Sequence, residues 1–252
     1  MFLESTLNTT ISNTIQEKLK QIKPHLEEQF GMQITAQAYD IADPAVRRML
    51  LSEMSKNAGR HWREGIEHWR EEEEVTASMY PPSIFRGKEY RLLFSSVHLE
   101  KAKDVLGSIV CHELLHEIFD ERFAHEAIEK LNFVAFPLLS EGFSEYGSLE
   151  IFVPLYSSEE EGITLRKKDS MASALEYEAI SKEELPLEKE SAQTHWERLT
   201  SYDAHSLGYV FYREHLGENA GLEKFVDLTT QFSKEERETF NQKIRTFLER
   251  YV

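Results

Sequence analysis

The chain has 252 residues, 40% of them hydrophobic and 29% charged, a globular balance that excludes an intrinsically disordered chain and fits one sizeable core or two small domains. Twenty-nine Lys and Arg against 45 Asp and Glu leave a formal charge of -16, which repels phosphate backbones and argues against a nucleic-acid partner. One cysteine, Cys111, excludes an internal disulfide; with no basic-then-apolar leader in residues 1–6 and no run of 18 apolar residues, the expectation is a cytoplasmic protein without a membrane span.

Leu19, Ile22 and Leu26 space an apolar stripe through the first thirty residues, and Gly31 offers a C-terminal stop, so a helix is expected there. Residues 33–41 alternate polar and apolar, the pattern of a half-buried strand. Asp43-Pro44 then opens a helix through Leu51. Next comes a short echo, in which His61-Trp62-Arg63-Glu64 returns as His68-Trp69-Arg70-Glu71. Two helical turns would stack the tryptophans, but they separate the histidines by about 10 Å, which suits packing better than one shared metal ion. The acidic run Glu71–Glu74 reads as a solvated face or loop.

Pro81-Pro82 marks a turn, residues 89–95 read as a short strand, and residues 99–123 as a long helix. Beyond Gly162 helices are expected near 171–183, 202–215, 219–230 and 235–250, with exposed connections at 157–162 and 182–186. The expected class is α+β, with the strands early and the helices late. Residues 1–98 would hold a small sheet and residues 99–252 the helical part, together one continuous unit.

Chemistry concentrates in Cys111-His112-Glu113-Leu114-Leu115-His116, which contains H-E-x-x-H. Histidines at i and i+4 stand about 40° apart around a helix, so both imidazoles can reach one cation. Glu113, rotated about 100° from His112, can address a water beside that cation without binding it. Zinc would acidify the water, and Glu113 would take its proton as general base. Val105, Leu106, Ile109, Val110, Cys111, Leu114, Leu115, Ile118 and Phe119 make this helix apolar nearly all round, which predicts burial. Buried His and Glu must be hydrogen-bonded, paired or metal-bound. Cys111 reads as a small core residue beside the first ligand.

A catalytic tetrahedral site needs a third protein ligand and one open position. The extension H-E-x-x-H-x-x-G-x-x-H would require Gly at 119 and His at 122, where this chain has Phe119 and Arg122. His125 would reach the metal only through a sharp break in the helix. Downstream lies Ser140-Glu141-Gly142-Phe143-Ser144-Glu145-Tyr146.

The H-E-x-x-H segment followed by this stretch resembles the gluzincin metallopeptidases, especially the aminopeptidase-like members of the peptidase-MA group. The resemblance is close over residues 100–150 and loose over 200–230. It implies a zincin-like fold, one Zn²⁺ ion, and Glu141 as third ligand beside His112 and His116. It implies Glu145, one turn on, as an outer partner steadying a ligand histidine, with Asp120 an alternative. From the segment Tyr202–Tyr212 it implies an oxyanion donor, Tyr202 first, then Tyr209 and His205. The implied activity is peptide-bond hydrolysis on a peptide or protein substrate. Two departures mark a divergent branch: Ser140 stands where the family has Asn, and the gap from His116 to Glu141 is longer. No G-A-M-E-N-like signature precedes residue 112, so aminopeptidase action is not implied. The alternative is a zincin-fold protein that binds metal for a regulatory or interaction role.

Overall fold

In the computed structural model, the apolar stripe of the first thirty residues is the buried face of one long helix, α1 (Phe2–Phe30). The structure describes residues 2–54, 77–85, 87–124, 135–183, 192–217, 220–232, 242–243, 246–247 and 250; the 61–71 echo, the Glu71–Glu74 run and His125 lie outside the described residues. The fold is mixed α+β, mostly helical, with a three-stranded sheet. The chain divides into two compact units, Met1–Glu117 and Ile118–Val252.

In the first unit Ile11, Ile15, Leu19, Ile22, Leu26 and Phe30 recur every three or four residues and are all buried. That is one face of a helix. Gly31 follows with φ of 58°, the left-handed conformation that ends helices and strains other residues.

Strand β1 (Gln37–Asp40) pairs in parallel with β3 (Arg91–Phe94), and β2 (Ala77–Tyr80) pairs antiparallel on the other side, giving the order β1-β3-β2. The strands expected at 33–41 and 89–95 are present but shorter. β2 is a strand the sequence does not announce, since Ala77-Ser78-Met79-Tyr80 is too short to display an alternation. All four residues of the central β3 are buried, as befits a strand covered on both faces.

Helix α2 (Pro44–Glu53) starts where Asp43 caps it, its carboxylate accepting from the Ala45 N–H at 2.7 Å while Pro44 takes the first turn. Leu50 of α2 joins Ile41, Met54, Tyr80, Ile84, Phe85 and Leu93 in one apolar cluster. Arg91 is buried as well. Its guanidinium sits 4.6 Å from the Phe85 ring centre and pairs with Glu53 at 2.5 Å.

The helix expected over 99–123 is broken into segments. A short α3 (Ser96–Leu99) leads into a 3-10 stretch, Glu100–Val105, in which Ala102 takes φ of -112° and ψ of 19°. No residue of that stretch is buried, so no packed face holds it to α-helical geometry. The regular helix, α4, is Leu106–Phe119, and a π-helical turn, Asp120–Ala124, follows it. Leu106, Val110, Cys111, Leu114, Leu115, Ile118 and Phe119 are buried, the surroundings expected of a helix apolar on most sides.

The second unit holds α5 (Ala135–Tyr146), α6 (Glu160–Glu183), α7 (Ala192–Leu216) and α8 (Leu222–Phe232). Residues 157–162, expected as an exposed connection, expose Ser158, Glu160 and Glu161 but are helical. A 3-10 stretch, Val153–Glu159, runs into α6, whose first turn carries Glu160 and Glu161 where the helix dipole favours acids. The most extensive packing in this unit joins α5 to α7. Beside it Phe143 stacks on Phe225 at 4.6 Å, with Tyr212 edge-on at 6.2 Å. Among the described residues no helix is long and apolar enough to cross a membrane.

Candidate metal centre

Helix α4 presents His112 and His116 one turn apart, with their Nε2 atoms 3.1 Å from each other and their rings inclined by 75°. His112 is buried and His116 half-buried. Two nitrogens on one tetrahedral zinc ion, each about 2.05 Å from it, would stand about 3.3 Å apart, so the pair has the spacing of two ligands to one ion. Without an ion, the same geometry makes an N–H···N hydrogen bond between the rings.

Glu113 is buried beside them. The hydroxyl pKa of Tyr80, at the end of β2, is pushed up by burial first and then by the Glu113 charge, so that strand end and the carboxylate share one neighbourhood. One residue past His116, Glu117 holds α4 to the chain entering β1. Its carboxylate accepts from the Thr35 N–H at 2.5 Å, the Thr35 hydroxyl at 2.9 Å and the Ala36 N–H at 3.0 Å. Burial pushes the Glu117 pKa up, against the pull of those three donors. The sequence signal for this role is an acid beyond the H-E-x-x-H motif inside an otherwise apolar helix.

Glu141 lies on α5 and His205 on α7, with Nε2 of His205 3.0 Å from Oε2 of Glu141. Glu141 is half-buried, and the His205 side chain is 57% exposed. Within the second unit, Glu141 and His205 bring together a carboxylate and an imidazole, donors of the kind that hold divalent ions. The donor set of imidazole nitrogens and a carboxylate suits zinc and also other divalent ions, so it does not name the metal. Of the three expected ligands, His112 and His116 stand together on α4 in the first unit, while Glu141, in the second, is paired with His205, a residue expected only as an alternative oxyanion donor.

The remaining expected residues are placed as follows. Glu145 is buried, and its carboxylate accepts from Arg166 Nη2 at 2.6 Å, with Ser170 Oγ at 3.5 Å. Asp120 is half-buried in the π-helical turn. The backbone of Tyr202 is helical within α7, but its side chain lies outside the described residues. Tyr209 is buried and its hydroxyl donates to Glu150 at 2.5 Å, while Lys167 holds the other Glu150 oxygen at 2.8 Å. Burial and the Glu150 contact push the Tyr209 pKa up, so its proton is committed to that carboxylate. Cys111 is a fully buried core residue.

The chain is a mixed α+β fold with a histidine pair on α4 and a Glu–His pair between α5 and α7 as candidate metal donors. Comparison with family models, curated proteins and solved structures finds no match to this chain.

Proposed function

We propose that this chain is a zinc-dependent hydrolase of peptide bonds, of divergent gluzincin type, with His112, His116 and Glu141 as ligands and Glu113 as general base. The observation that carries the reading is the convergence of the His112 and His116 Nε2 atoms at 3.1 Å on one helix, with the buried Glu113 between them in sequence. The pairing of Glu141 with His205 at 3.0 Å, a carboxylate beside an imidazole, supports it. A bound zinc ion would acidify a water and polarise the scissile carbonyl. Glu113 takes the proton from that water and passes it to the leaving amine. Tyr202 is the oxyanion donor in this reading. The β2 edge, whose Tyr80 feels the Glu113 charge, offers main-chain groups to align an extended peptide. The setting is the cytoplasm, where a buried lone thiol stays reduced.

One observation favours a second reading. Glu141 already pairs with His205; if both joined His112 and His116 on one ion, four protein ligands would close the site and leave no open position for substrate. The protein would then hold metal for a structural or regulatory purpose.

The deciding experiment measures metal content by mass spectrometry on protein purified without chelator, with His116→Ala as control and peptide turnover assayed alongside. Near-stoichiometric zinc, lost in the control, together with turnover that Glu113→Gln abolishes, is the expected result. Zinc without turnover on any peptide favours the closed site. No metal after zinc loading and dialysis overturns both.

A further inference from the structure

We infer that Gly142 and Gly208 are positioning residues for the metal site: their bare backbones let α5 and α7 cross closely enough to bring Glu141 within reach of its metal and of His205. The inference rests on the reading of Glu141 as a ligand, and it adds the device that places it.

The geometry is local to the two helices. A Cβ built on Gly142 would lie 2.5 Å from the carbonyl carbon of Gly208 and 2.6 Å from its Cα. A Cβ on Gly208 would lie 2.4 Å from the Leu138 carbonyl oxygen and 2.5 Å from the Gly142 Cα. All of these atoms are backbone, so no side chain can swing away to make room. Helices that meet through side chains keep their axes about 8–10 Å apart, and only residues without a Cβ permit backbone-to-backbone contact of this kind.

The glycines sit where the chemistry does. Gly142 directly follows Glu141, and Gly208 lies one turn beyond His205 on α7. Between those neighbours the Glu141 Oε2 to His205 Nε2 distance is 3.0 Å. Tyr212, one turn further along α7, donates its hydroxyl to the Leu139 carbonyl of α5 at 3.2 Å, a second contact along the same helix pair. Restoring ordinary contact of 3.4 Å around a new Cβ requires the backbones to part by about 1 Å. Ligand atoms must hold their distances to within about 0.2 Å of ideal, so a shift of that size moves Glu141 out of position.

The test reads metal affinity by competition with a chromophoric chelator, and coordination by the visible absorption of the Co²⁺-loaded protein. Gly142→Ala and Gly208→Ala are compared with wild type and with Tyr212→Phe, which weakens the same interface without adding a Cβ. The expected result is an affinity loss of about tenfold to a hundredfold and an altered Co²⁺ spectrum in both alanine variants, with Tyr212→Phe unchanged in both readouts. Alanine variants that fold and keep wild-type affinity and spectrum overturn the inference while leaving the peptidase reading standing. Equal loss in Tyr212→Phe also overturns it, because general loosening would then suffice. If neither alanine variant folds, Glu141→Asp takes their place, since it shortens the reach by one methylene and leaves both glycines intact. Loss of affinity there supports a site set by helix spacing, and undiminished affinity overturns it. A wild type that binds no metal removes the functional reading itself, and the inference with it.

Discussion

The Glu117 carboxylate grips two consecutive backbone N–H groups, those of Thr35 and Ala36, at 2.5 and 3.0 Å. The contact ties the helix carrying His112 and His116 to the segment entering β1, so the histidine pair is anchored through its own next residue. Glu117→Ala strands both amides. Each buried donor left without an acceptor costs about 1–3 kcal/mol, so a loss of roughly 2–6 kcal/mol is expected in urea unfolding. An unchanged midpoint would mean that water satisfies the amides.

Glu113→Gln separates chemistry from binding. The amide cannot accept the proton of a nucleophilic water, so turnover should fall by about 10²- to 10⁴-fold while zinc content stays at the wild-type level. Turnover unaffected by the substitution would remove Glu113 from the reaction.

His205→Ala distinguishes the two readings of the site. With His112, His116 and Glu141 as the ligands, the variant should retain stoichiometric zinc. Loss of zinc would place His205 among the ligands and favour the closed site.

Arg166→Met leaves the buried Glu145 carboxylate without its partner at 2.6 Å. Breaking a buried ion pair from one side costs about 3–5 kcal/mol; the lower end, about 3 kcal/mol, is expected because Arg166 is 26% exposed. The companion variant Glu145→Gln, neutral and of similar shape, should be milder. A milder effect from Arg166→Met than from Glu145→Gln would show that the arginine is not what sustains the charge.

Alkaline pH provides a test of the aromatic core of the second unit. Burial first, and the Glu150 charge second, raise the Tyr146 pKa from 10.0 to about 12. A pKa raised by folding means that the protonated hydroxyl favours the folded chain. That contribution is complete below pH 10 and is lost as pH rises through about 12. Tyr146→Phe lacks the titration and also lacks the hydrogen bond from the hydroxyl to the Gly217 carbonyl. The variant should therefore be less stable at pH 9, with the gap to wild type narrowing toward pH 11.5. Urea unfolding at the two pH values measures it, and a constant gap contradicts the assignment.

Features with a short period were readable in the sequence. The α1 stripe, the Asp43-Pro44 start of α2 and the pairing of His112 with His116 all follow from helical spacing within one segment. The motif resemblance singles out Glu141 as an expected ligand. The pairing of Glu141 with His205 is not legible in the sequence, because it depends on where α5 and α7 cross, and at that crossing two glycines meet with no side chain to enter a pattern. The break at Ala102 escaped for another reason: Glu100-Lys101-Ala102-Lys103-Asp104 has acceptable helix formers, and only the lack of a buried face lets it tighten into a 3-10 stretch. Glu145 illustrates a third limit, since the arginine that meets it comes from α6 and leaves no local trace.

The only thiol of the chain sits directly before His112 and has no exposed surface. A reagent can reach it only when α4 opens, so the rate of Cys111 labelling in native buffer counts those openings without any engineered probe. Adding zinc should slow that clock in proportion to how tightly the neighbouring histidines hold the ion.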